Sequence, residues 1–358
     1  MYSRFPSRQQ AKSIALLLVL CIGGVSSSNA QEEEIAYEIG AVPILPQVFK
    51  DLQKVAPIPG SAEDESVVSL RKRFPTPRSQ GKLGSCSAFA AGFAIKTYLE
   101  RVRNGWPDND DSDKRVFSPA FIYNQYALQQ PNELPPKKGI FIQSALGTLE
   151  GLGCCTWETM PYDGINAFAN DDPAIWQEAA QYRRDKWDPI DIKDISIVRQ
   201  YLLAGRPIIF GAYVDTARKG EWDVDESGVT TRLHKIGTTY HAMVLVGYDD
   251  NKGKNGAFEI MNSWGPKWND NGFAWVSYSF WKNFVREGYV VWDTREDVRK
   301  LLPKGVKPEE IRWLPPGPEG TTNGNWGYPK EVDLKKLETT PGKKFPEIIK
   351  EINAADPP

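Results

Sequence analysis

Sulfur and imidazole are scarce in this chain: its 358 residues include four cysteines and two histidines. With no CxxC pair and no histidine near a cysteine, the pattern argues against a disulfide scaffold and against a zinc centre. An excess of charge is missing too. Lysine and arginine number 44 against 46 acids, a net charge of −2, so no electrostatic footprint for nucleic acid or an anionic membrane exists. Beyond residue 30 no apolar run approaches the roughly 20 residues that a membrane helix needs. A hydrophobic content of 41% with 25% charged residues excludes disorder throughout and allows one large globular domain or two smaller ones.

The N-terminus carries Arg4, Arg8 and Lys12 ahead of "SIALLLVLCIGG", then "VSSSNA" and "QEEE". A basic start, a short apolar core and small residues at Ser28 and Ala30 describe a secretory signal peptide over residues 1–30, cleaved after Ala30. Cys21 follows Leu20, where a lipid-attachment site prefers a small residue, so it reads as apolar filler. The mature chain is then expected to be secreted or periplasmic, soluble and free of the membrane, in an oxidising space. It keeps Cys86, Cys154 and Cys155, an odd set that leaves at least one thiol unpaired.

Residues 31–67 are acidic and proline-punctuated, the pattern of an arm or short prosegment, with one amphipathic stretch in which Val48, Phe49, Leu52 and Val55 share a helical face. Pro75 and Pro77 hold the following chain extended up to the loop "QGKLGSC". From Cys86 the spacing predicts a helix with Ser85 as N-cap and Gly105 as terminator, apolar all round at its start and solvated on one face from Lys96 onward. Helices are also predicted in "SPAFIYNQYALQ", "FIQSALGTLEGLG" and "DISIVRQYLLAG", and a strand in "PIIFGAYV". "YHAMVLVGY", "GAFEIMNSW" and "GFAWVSYS" read as an antiparallel meander. Helices first and sheet afterwards indicate an α+β fold over residues 68–295. Residues 296–358, rich in proline and glycine, read as an extension.

A hairpin turning near Asn251 and Lys252 sets His241 opposite Asn262, close enough for an amide to hold an imidazole in one tautomer. A thiol at a helix N-terminus becomes a nucleophile at neutral pH when an imidazolium also stabilises its thiolate. Cys86 supplies the first condition and His241 the second. Gln80, on the loop before the helix, is placed to share with the Cys86 N–H the stabilisation of an oxyanion. Together these groups describe acyl transfer.

"QGKLGSCSAF", "HAMVLVGYDD" and "NSWGPKWNDNGFAWVS" resemble the signature blocks of the papain family of cysteine peptidases. The resemblance implies a two-lobed fold, with a helical lobe led by the Cys86 helix and a β-sheet or barrel lobe. It implies Cys86 as nucleophile, His241 as general acid and base, Asn262 as its orienting partner, Gln80 as oxyanion donor and Trp264 as a shield over the His–Asn bond. Gly139, in "KKGIF", corresponds to a wall that hydrogen-bonds extended substrate. No cofactor or metal is implied, and the partner is a protein or peptide substrate. Leu83 and Ser87 depart from the family pattern and suggest a divergent branch, which the style of the signal peptide places in bacteria.

Two other readings stay open at this stage. The same groups serve transglutaminases and Cys–His peptidoglycan hydrolases, and a cleft without turnover binds peptide. His234 lies in a polar stretch and is assigned no role. Cys154 and Cys155 form either a vicinal disulfide or two thiols.

Overall fold

The apolar run that begins at Cys86 forms one continuous helix. In a computed structural model of the chain it starts as α2 (Cys86–Ala88), widens into a π-helical stretch over Phe89–Lys96 and continues as α3 (Thr97–Asn104). The structure describes residues 40–52, 54–55, 65–129, 139–163, 172–183, 185–214, 222–233 and 239–293. The signal-peptide pattern, His234 and the C-terminal extension lie outside them.

Every residue of the π stretch is buried, as an all-apolar surface requires. Gly105 ends the helix in the left-handed region at φ 61°. Two expectations change. Ser85 holds the N-cap position without a capping bond, because its hydroxyl pairs with the Tyr162 hydroxyl at 2.7 Å. Lys96, Glu100 and Arg101 are buried, not solvated. Lys96 reaches Asp185 at 2.6 Å and Glu100 at 2.8 Å, and Arg103 adds bonds to Glu100 and Asp293. Removing one member of such a buried network costs far more than the pair contributes on the surface.

Helices α4 (Pro119–Gln129) and α5 (Ile142–Gly151) pack beside the central helix, while α6 (Pro173–Gln181) and α7 (Ile195–Leu203) start on Asp172 and Asp194, whose carboxylates cap the first turns. The arm contributes β1 (Ala41–Val42) and α1 (Pro46–Asp51). Helix α1 buries Phe49 but leaves Val48 exposed and ends before Leu52, so it is shorter than the amphipathic pattern suggests. Strand β1 pairs in parallel with β3 (Ile140–Phe141).

The second half of the fold is a sheet. Its order is β4 (Asp185–Pro189), β10 (Val285–Asp293), β5 (Ile208–Val214), β7 (Thr239–Asp249), β8 (Ala257–Met261), β9 (Phe273–Ser277) and β6 (Val229–Thr230), with β2 (Val67–Ser69) also paired to β7. The meander β7, β8, β9 is antiparallel as expected. Its register is shifted, since Val244 faces Met261 and Asp249 faces Ala257, which centres the turn on Gly253.

Strand β7 is the wall between two cores. Tyr240, Ala242, Val244 and Val246 join the cluster around the central helix, while Met243 and Leu245 join the cluster inside the sheet lobe. A bulge between Leu245 and Gly247 then turns Tyr248 into the sheet lobe. The α+β, two-lobed expectation therefore holds. Helix α8 (Tyr278–Phe284) closes the sheet lobe between β9 and β10.

Candidate active site

Cys86 and His241 come from opposite lobes. Cys86 opens the central helix, and His241 lies on β7 immediately before Ala242, whose backbone N–H bonds the Cys86 sulfur. Both are fully buried. Asn262 follows the last residue of β8, where its own N–H is held by the Gly272 carbonyl at 3.0 Å. From there its Oδ1 meets His241 Nε2 at 2.7 Å. The contact expected from direct opposition across a hairpin is therefore made, although the register differs, because Asn262 reaches back from beyond the strand end. The Asn262 Oδ1 also accepts the Ser263 N–H at 2.7 Å, which fixes the amide's direction. Trp264 stacks on the imidazole at 4.9 Å with planes 28° apart and is itself 1% exposed. Water is thus kept from the His–Asn bond, and Nδ1 is the ring nitrogen left without a hydrogen bond.

Gln80 is buried and tied down at several atoms. Its N–H bonds the Ser263 carbonyl at 2.8 Å, and its Oε1 accepts from Ser263 Oγ at 2.6 Å. Its Nε2 donates to the Leu83 carbonyl at 2.9 Å. Its carbonyl accepts the Tyr162 hydroxyl at 2.6 Å. Ser263 and Tyr162 were not singled out in the sequence. Ser263 follows Asn262 inside "NSW", which offered a signal; Tyr162 lies 82 residues downstream of Gln80 and offered none.

Gly139 lies where a chain runs over it, and the chain is the protein's own arm. A Cβ on Gly139 would fall 1.4 Å from the Gly40 carbonyl oxygen, and one on Gly40 would fall 1.9 Å from the Gly84 Cα. Three glycines thus let backbone approach backbone beside the sulfur. The Gly40 and Ser87 N–H groups also bond the Cys86 sulfur.

Burial dominates the electrostatics. It pushes the Cys86 thiol up, against the opposing pull of the Ala242, Gly40 and Ser87 N–H groups. It lowers His241 to about 4, against the opposing Asn262 bond. Both shifts run toward the uncharged thiol and the uncharged imidazole, whereas the sequence led to the expectation of an ion pair. The physical reason is burial, which penalises the charged form of either group. Cys154 and Cys155 are free, buried thiols, both pushed upward by burial, so no vicinal disulfide forms.

A buried thiol at a helix start, an imidazole whose Nδ1 is left without a hydrogen bond and an amide that holds its Nε2 meet where the helical lobe faces the sheet, on a papain-like fold of the cysteine-type peptidase class. The profile of the papain family cysteine protease matches residues 68–285, and the chain belongs to that family. It is 25% identical over 267 residues to an uncharacterized peptidase C1-like protein of Acanthamoeba polyphaga mimivirus, spanning 69% of this chain and 81% of that one. Xylellain, a cysteine protease from Xylella fastidiosa, superposes with a TM-score of 0.56 at 21% identity, over 73% of this chain and 97% of its own. The digestive procathepsin L2 proteinase of Tenebrio molitor gives 0.53 at 19%, over 74% and 81%. Among the described residues no helix is long and apolar enough to cross a membrane.

Proposed function

We propose that the protein is a secreted or periplasmic cysteine endopeptidase made in a latent form. Cys86 is the nucleophile and His241 the acid and base. Asn262 orients the ring, Trp264 shields their bond, and Gln80 with the Cys86 N–H receives the oxyanion. Once the site is uncovered, the Cys86 proton moves to His241 Nδ1 and the thiolate attacks the peptide carbonyl. The imidazolium then gives its proton to the leaving amine, and water, deprotonated by the same ring, releases the acid product. The observation that carries this reading is the buried 2.7 Å bond of His241 Nε2 to Asn262, which leaves Nδ1 as the base.

Residues 31–67 act as the prosegment. Their described part runs over Gly139 and reaches the sulfur through Gly40, the place a substrate backbone would take. The N-terminal basic-then-apolar pattern supports export. The test is peptide-library cleavage beside cell-wall digestion by wild type, Cys86→Ala and His241→Ala. Peptide cleavage lost in both variants supports the reading. Digestion of cell wall alone, or turnover that survives Cys86→Ala, overturns it.

A further inference from the structure

Ser87 is one of the two positions at which the chain departs from the family pattern around the nucleophile, and the reaction above gives its side chain no part. That side chain is fully buried on the first turn of the central helix. A serine near a helix start commonly bonds a backbone group of its own turn. This one reaches across 53 residues instead, donating to the Ile140 carbonyl at 2.9 Å. The same hydroxyl also bonds the Cys86 sulfur.

Ile140 opens β3, the strand on which Ala41 and Val42 of the arm lie. Gly139, just before it, faces the arm's backbone, where a Cβ would fall 1.4 Å from the Gly40 carbonyl oxygen, while the next carbonyl along the chain turns to Ser87. One hydroxyl thus ties the wall of the groove to the atom that reacts.

A hydroxyl carries a single hydrogen and two lone pairs. While that hydrogen is given to Ile140, the sulfur meets Oγ only as a donor, through its S–H. The arrangement suits a neutral thiol and opposes a thiolate, whose charge would face an oxygen lone pair. When the Cys86 proton passes to His241, rotation about the Cβ–Oγ bond alone reverses this, turning the hydrogen from the carbonyl to the sulfur. A hydrogen bond to an ionised group is roughly twice as strong as one between neutral groups, so the turn is favourable although the Ile140 carbonyl gives up a donor. Among the other groups at the sulfur, Gly40 departs with the arm, while the Ala242 and Ser87 N–H groups are fixed by the backbone. The Ser87 hydroxyl is the donor that turns with the charge.

We propose that Ser87 is a further catalytic residue, whose hydroxyl turns its hydrogen from the Ile140 carbonyl to the Cys86 thiolate and holds the ionised sulfur for attack. This rests on the peptidase reading of the site.

The test uses the full-length protein under conditions where it turns over peptides. It follows two quantities against pH: kcat/KM for one peptide, and the rate at which iodoacetamide labels Cys86. Both rise with pH along an acid limb set by formation of the thiolate. Ser87→Ala removes the hydroxyl, so both limbs should move up by about one pH unit, a roughly tenfold loss at a pH below the limb, with KM near its wild-type value. Ser87→Thr and Ser87→Val are alike in shape and differ in the hydroxyl. The limb should stay near the wild-type position in the first and move up in the second. Limbs that stay in place in Ser87→Ala and Ser87→Val, with any loss uniform across pH, overturn the proposal and leave the hydroxyl as a strut under β3, the peptidase reading intact. If Ser87→Ala fails to fold, the threonine and valine pair decides. No cleavage of any peptide by the wild type overturns the peptidase reading and the proposal with it.

Discussion

Gly40 of the arm bonds the sulfur of Cys86 through its backbone N–H, and its Cα lies so close to Gly84 that a Cβ would fall 1.9 Å from the Gly84 Cα. The neighbour is backbone, so no rotamer change relieves the clash. Gly40→Val should therefore expel the arm without altering any group of the site. Peptide turnover by the full chain should rise by about tenfold or more, since a covered state is then no longer favoured. Steady-state kinetics against the wild type check this, and equal rates would show that the arm does not restrain the site.

Asn262 holds one imidazole nitrogen at 2.7 Å beneath Trp264. Asn262→Ala leaves a buried donor unsatisfied and frees the ring to turn, at a cost of about 1–3 kcal/mol. In transition-state stabilisation that corresponds to roughly a ten- to hundredfold loss of kcat/KM, with most of the loss in kcat. A change confined to KM would place the amide in substrate binding instead.

Tyr162 bridges the Gln80 carbonyl and the Ser85 hydroxyl at 2.6 and 2.7 Å, with its ring edge-on to Phe89 at 4.8 Å. Tyr162→Phe keeps the ring packing and removes the bridge. It should lower kcat several-fold, about 1 kcal/mol, and leave KM near its wild-type value, because the oxyanion donor matters most as charge develops. A parallel rise in KM, or a melting temperature far below wild type, would reduce the hydroxyl to a structural role.

The residues that meet at the candidate site were legible in the sequence because each sits in a local pattern: glycine, serine and cysteine before an apolar run, histidine near the start of a strand, "NSWG" after the next. The surrounding fold was less so. Glu287 and Tyr289 lie in "VREGYVVWD", where charge and glycine interrupt the alternation that marks a strand, and β10 is held inside the sheet by pairing with β4 on one side and β5 on the other. Lys96, Glu100 and Arg103 carry the charge of a solvated face and pair with one another at helical spacing, yet Asp185 on β4 and Asp293 on β10 complete a buried network with them, a tertiary choice that no helical period contains. The arm's pairing with β3 escaped detection because two residues of strand have no period.

Asp188 on β4 is raised to about 6, first by burial and then by Glu150, with Arg206 and Lys186 opposing. A carboxyl raised on folding binds more protons in the native than in the unfolded chain between its ordinary value near 4 and about 6. Stability therefore falls as pH climbs through that window and stays low above it. Asp188→Asn removes the cost and should stabilise the protein at pH 7 by roughly 1–2 kcal/mol, allowing for partial solvent screening. Near pH 4 it should change little. Thermal melts of both proteins at the two pH values test this, and an equal gain at both would mean that packing, not charge, is responsible.

Reactivity of the Cys86 thiol should report directly on the arm. In the covered state burial raises the thiol and lowers His241 to about 4, so at pH 5 neither group is charged and no thiolate is present to react. Only the thiolate attacks an alkylating agent, so labelling of Cys86 in the full chain should be slow at pH 5 and should rise only in the alkaline range. With the arm expelled by Gly40→Val, water and the open face of the groove stabilise both ions, and proton transfer from sulfur to Nδ1 needs no change in pH. Labelling at pH 5 should then be faster by about a hundredfold or more at Cys86. Cys154 and Cys155, both buried and both pushed upward by burial, serve as controls that should stay slow in both proteins. Equal, slow labelling of all three in Gly40→Val would mean that uncovering the site does not ionise the sulfur, and the ion-pair mechanism would fall.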